Sequence, residues 1–142
     1  MDDSKSRILA PDAIVLFADL QTGIVELSQT NPLDRLKRGV LALAKLAKLL
    51  TIPVVVSGVR GEDGNPSKMI PQIANGLGDL PTHHRTTCDS FRNEEIVSAI
   101  QSTGRKTLLI SGVATELAVQ LPALTASDLG TRCSSFWTLA EE

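Results

Sequence analysis

The chain has 142 residues, 42% of them apolar and 21% charged, with ten glycines and seven prolines. That length suffices to bury a full core and the composition is ordinary for a globular protein, so one domain over residues 1–142 is expected. A formal net charge of −2 argues against a nucleic-acid-binding basic field, and the apolar runs are too short to span a bilayer, so neither nucleic acid nor membrane is an expected partner.

The start of the chain, Met1 to Arg7, has no apolar stretch of signal-peptide length behind it. Two cysteines, Cys88 and Cys133, make no disulfide framework, so both are expected as reduced thiols in a cytoplasmic protein. His83 and His84 are adjacent, and neighbouring side chains diverge on a strand, so no metal site is predicted.

In chain order, Ala13 to Ala18 is a continuous apolar run. Such a run predicts a parallel strand covered on both faces. It ends at Asp19, where open α/β sheets place their ligands. Asn31-Pro32 predicts a helix start, with Asn31 as cap and Pro32 at the first helical position. Leu33, Leu36, Val40, Leu43, Leu46, Ala47 and Leu50 then recur at helical spacing and predict one buried face.

Ile52 to Ser57 predicts a second buried strand, with Pro53 at its start. Residues 58–66 form a glycine-rich loop on the same edge as Asp19. Its Gly58, Gly61 and Gly64 match no phosphate-loop or dinucleotide fingerprint, so no cofactor is expected. Lys68 to Leu77 predicts a short helix that Pro71 interrupts. Thr82 to Arg85 predicts a short strand, and Asn93 a helix cap with Gly104 as the stop.

Thr107 to Ser111 predicts a strand that enters Gly112-Val113-Ala114-Thr115-Glu116-Leu117-Ala118-Val119, followed by a helix from Ala118 to Leu129. A strand passing through a small-residue turn straight into a helix is where α/β enzymes commonly hold a nucleophile. Residues 131–137 suggest a final, more polar edge strand. Alternating strands and helices predict an α/β fold with a mainly parallel sheet wound by right-handed crossovers.

Three stretches resemble the isochorismatase-like cysteine hydrolase family, its YcaC-type branch in particular. They are Ala18 to Gly23, Arg85 to Asn93, and Thr103 through Thr115-Glu116 to Ala126. The resemblance implies a Rossmann-like three-layer αβα fold, with the C-terminal strand–helix unit shortened in this chain. It also implies an aspartate–lysine–cysteine triad that hydrolyses amide-type bonds through a thiolate. An oxyanion site of backbone N–H groups beside a non-proline cis peptide completes it.

Carried over, Asp19 stands at the aspartate, Arg85 at the lysine and Ala118 at the cysteine. Ala114 and Ala118 would supply the oxyanion N–H groups, and Thr115 would join Ala114 in binding substrate. A methyl group cannot form an acyl-enzyme, and arginine stays protonated where lysine can give up its proton. Asp19 could instead serve as a helix cap or as a salt-bridge partner of Arg85. Cys88 reads as a buried inert thiol rather than a substitute nucleophile, Cys133 as structural or exposed, and Trp137 as core or subunit contact.

Three functions follow from this. The first is a hydrolase-family protein with weak or lost thiol chemistry and a surviving pocket for a small-molecule ligand. The second is a Cys-independent hydrolase with Asp19 as general acid. The third is a non-enzymatic interaction protein. The family and the exposed last strand both imply a homo-oligomer.

Overall fold

A computed structural model describes residues 7–29 and 31–135. The expectations about the extreme N-terminus and Trp137 lie outside those residues. Among the described residues, five strands form one parallel sheet: β1 (Ala13–Ala18), β2 (Val54–Val59), β3 (Thr82–Arg85), β4 (Thr107–Gly112) and β5 (Arg132–Ser135). Their order is β3-β2-β1-β4-β5, so the chain reverses its direction of travel between β1 and β4.

Strand periodicity sorts the core into two layers. Ala13, Val15, Phe17 and Val56 face α1 (Leu33–Leu49) and α2 (Pro71–Leu77), packing on Leu36, Val40, Leu43, Ala44, Ala47 and Ile73. Ile14, Leu16, Val55, Leu108 and Ile110 face the other way, onto Ile96 and Ile100 of α3 (Glu94–Gln101) and Ala126 of α4 (Gln120–Asp128). Every residue of β1 is fully buried, as a centre strand covered on both faces requires. The result is the expected three-layer αβα arrangement.

Several boundaries differ from expectation for local reasons. Pro32, not Asn31, occupies the N-cap of α1, without a side-chain cap bond, and its carbonyl accepts from Arg35 and Leu36. Leu46 is exposed because at 100° per residue it swings off the stripe set by Leu36, Val40 and Ala47, where Ala44 packs instead, and Leu50 is exposed as the C-cap just past the helix end. β2 starts at Val54 and runs on to Val59, since Pro53 contributes only its carbonyl, to Val15 N–H at 3.0 Å. α2 begins at Pro71, where the missing N–H costs nothing. Asn93 caps α3 through Ile96 N–H at 3.1 Å as expected, but α3 ends at Gln101, and Gly104 closes the following turn at φ +68°. The last described strand, β5, lies at the sheet edge. No helix among the described residues is long and apolar enough to cross a membrane.

Candidate active site

The strand order reverses between β1 and β4, and open α/β sheets hold their ligands at the strand C-termini beside such a reversal. Ala18 of β1 pairs with Gly112 of β4, and the chain leaves both strands through left-handed residues, Asp19 at φ 59° and Ala114 at φ 61°. Aspartate tolerates this region through its short polar side chain; for alanine it is a strained conformation. Gly112 is required by crowding, because a Cβ there would sit 2.7 Å from the Ala18 carbonyl oxygen.

Arg85, at the end of β3, reaches across β2 to Asp19. Its Nη1 donates to Asp19 Oδ1 at 2.5 Å and its Nη2 to Oδ2 at 2.9 Å, a two-pronged pair. Nη1 also donates to Ser57 Oγ at 3.1 Å, and Nη2 to the Cys88 carbonyl at 3.0 Å. Ser57 Oγ lies 3.3 Å from Ser90 Oγ. Arg85 is 2% exposed, and its Nε is buried without a hydrogen-bond partner among the described residues. Of the open readings of Asp19, the salt bridge to Arg85 is therefore present.

The segment after Gly112 is not a plain helix start. Residues Thr115–Val119 form one π-helical turn before α4 begins at Gln120. Ala118 is fully buried in this turn. Its N–H donates to the Ala114 carbonyl at 2.8 Å, so the amide expected at an oxyanion is engaged inside the turn. All peptide bonds among the described residues are trans, in place of the expected cis bond; the left-handed Ala114 turns the chain instead. The Thr115 side chain lies outside the described part.

Sequence reasoning overlooked the buried polar residues that support this pair. Ser57 and Ser90 are fully buried, and so is Gln21. Asp89 accepts from Phe91 N–H at 2.9 Å and from Thr125 Oγ1 of α4 at 2.6 Å, joining the Arg85 segment to the helix after the elbow. A serine ending an apolar strand, and a glutamine two positions past Asp19, were the available signals. Cys88 is exposed, against the buried thiol expected, because the 3-10 turn Ser90–Arg92 tucks Ser90 and Phe91 inward and leaves the preceding loop outside. Cys133 is half-buried, and burial pushes its thiol pKa up.

The two histidines diverge as predicted. His83 faces Glu95 of α3, Nδ1 to Oε2 at 3.6 Å. His84 faces the opposite layer and lines an open cavity of about 320 Å³ with Lys68, Asp79, Ile70 and Ile73. Neither Asp19 nor Arg85 borders that cavity. No group of His, Cys, Asp or Glu among the described residues is arranged to hold a metal ion.

Residues 13–134 match the isochorismatase domain model. The chain is 36% identical over 125 residues to a probable hydrolase, YcaC, of Escherichia coli K12, covering 87% of this chain and 60% of the relative. It superposes on the structure of the Escherichia coli YcaC gene product, an octameric hydrolase of unknown specificity, with a TM-score of 0.83 and 34% identity, covering 91% of this chain and 63% of that one. YcaC from Pseudomonas aeruginosa, solved with hexane-2,5-diol and covalent acrylamide, gives 0.83 and 32%, covering 91% and 64%. An isochorismatase from Pseudomonas putida shares the fold at 0.74 and 20% identity, covering 90% and 70%. The chain thus spans about three-fifths of the length of its YcaC relatives, and it belongs to the isochorismatase-domain hydrolase family, on the YcaC side of it.

Proposed function

We propose that this protein is an isochorismatase-family member in which the thiol step is lost while small-molecule binding persists at the strand C-termini around Asp19 and Arg85. The observation that carries the reading is that Ala118, which the resemblance places at the family's nucleophile position, is a fully buried methyl. A methyl supplies no electron pair to attack a carbonyl, so whatever remains is binding and polarisation. Arg85 supports retained binding, since its buried Nε–H is a donor without an acceptor among the described residues. Asp19 as general acid, the thiol-free alternative, is less well supported: both its oxygens already accept from one guanidinium.

Restoring the thiol tests this reading. Ala118→Cys should form an adduct with acrylamide at the new thiol, separated from adducts at exposed Cys88 by peptide mapping, and should turn over members of an amide panel that the parent leaves untouched. Turnover of those amides by the parent would sink the proposal.

Self-association belongs to the same reading. Leu117, Leu121 and Leu124 fall three and four residues apart and are all exposed at the elbow and on α4. The octameric state of the Escherichia coli relative supports a homo-oligomer here. Sedimentation velocity of the parent decides it, and a monomer at micromolar concentration would refute it.

A further inference from the structure

The family motif after β1 contains a residue whose work is not explained by binding or chemistry. Gln21 is polar, fully buried and two positions past Asp19. Its Oε1 accepts from Val59 N–H at 2.9 Å, and its Nε2 donates to the Val59 carbonyl at 2.9 Å and to the Ser67 carbonyl at 3.0 Å. One side-chain amide thus pairs with both the N–H and the C=O of a single strand residue, as a neighbouring strand would.

The need for this pairing follows from the sheet. β1 pairs with β2 only as far as Ala18 opposite Ser57, because Asp19 turns away into the left-handed region. β2 continues to Val59, which on its other side is in register with Arg85 of β3. Without Gln21 the tip of β2 would have lost its ladder partner on the β1 side. Gly58 makes room for the substitution, since a Cβ there would stand 3.0 Å from Gln21 Cδ. The backbone of Gln21 joins the same unit, its N–H donating to the Asp19 carbonyl at 2.8 Å while Asp19 N–H donates to the Ser57 carbonyl at 3.0 Å.

We infer that Gln21 is a positioning residue: its amide stands in for the missing β1 backbone, fixes the tip of β2, and thereby holds Arg85 in register against Asp19 and the base of the 60–68 loop against the sheet. The inference rests on Asp19 and Arg85 being the polar pair of the site, and not on turnover. It therefore fails or stands separately from the thiol-restoration experiment.

Phenylglyoxal modification of arginines, mapped by mass spectrometry, reads the position of Arg85 directly, with exposed Arg35 as the internal reference. Gln21→Leu keeps the volume and removes the amide. It should raise Arg85 modification relative to Arg35 by about tenfold, the order expected when a buried hydrogen-bond set is lost. Gly58→Ala, which displaces Gln21 with its amide intact, should act in the same direction and less. Thr107→Val removes hydrogen bonds at the opposite end of the sheet and should lower Tm while leaving Arg85 protected. If Gln21→Leu yields no folded protein, Gly58→Ala decides by the same criterion. Arg85 remaining protected in the folded Gln21 or Gly58 variant, at whatever Tm, overturns the inference.

Discussion

The Arg85 guanidinium holds both oxygens of Asp19 from two strands away, across the β2 tip that lies between them. Arg85 is nearly solvent-free, so this pair is unlike an exposed ion pair. Removing one partner leaves the other buried and uncompensated. Arg85→Met should cost on the order of 3 kcal/mol in urea unfolding, and Asp19→Asn combined with it should recover part of that loss. Additive single and double variants would show that the two side chains do not interact.

The close approach of the ends of β1 and β4 depends on the absence of a side chain at Gly112. Its virtual Cβ meets backbone, the Ala18 carbonyl oxygen, and not the end of a flexible side chain. Gly112→Ala should therefore lower stability by about 1–3 kcal/mol, the range for overpacking in a tight core. Equilibrium unfolding checks it, and an unchanged midpoint would mean that the two strand ends can part freely.

His84 makes the fold sensitive to mild acid. Burial is the main cause that lowers its pKa, with Arg60 and then His83 adding repulsion. Lys68 and Asp79 also line the cavity that His84 faces, one opposing and one favouring its protonation. A histidine depressed in the folded state binds protons more readily when unfolded. Its stabilising contribution is whole above the ordinary histidine value of 6.5 and is lost as pH falls from there toward the lower folded value. Tm measured against pH should decline below 6.5 less steeply in His84→Gln than in the parent. Parallel profiles would remove His84 as the cause.

Much of the architecture was legible because it follows from patterns inside one segment. The continuous run Ala13 to Ala18 could only be a covered strand, and Asn93 marked the start of α3 by the same rule that misplaced the start of α1. Leu46 misled because apolar spacing alone does not say how wide a buried stripe is, and Leu50 because it does not say where the helix ends. The site was legible only where one residue announces itself. Asp19 could be named from its place at the end of a buried strand and Arg85 from the resemblance, and their pairing could then be weighed. Gln21, Ser57 and Ser90 were not legible, because each is explained by a partner far along the chain; Gln21 meets Ser67 across 46 positions. The π turn at Ala118 lay hidden for another reason. It is a difference of one residue in hydrogen-bond spacing, and composition does not register it.

Asp89 and Thr125 give the last test, because their bond joins the Arg85 segment to the helix behind the elbow. Thr125 Oγ1 donates to Asp89 Oδ2 at 2.6 Å, while Asp89 Oδ1 caps the turn at Phe91 N–H. Asp89 is 6% exposed, so water cannot readily replace the threonine hydroxyl. Thr125→Val preserves the shape and removes the donor, leaving one buried carboxylate oxygen without it. The expected loss is about 1–3 kcal/mol, whereas Thr125→Ser, which keeps a hydroxyl, should lose less. Hydrogen exchange should rise in peptides covering both residues 85–93 and α4, since a shared bond couples the two segments. A rise confined to α4 would mean that the segments respond independently, and that the elbow and the arginine loop are held by separate parts of the core.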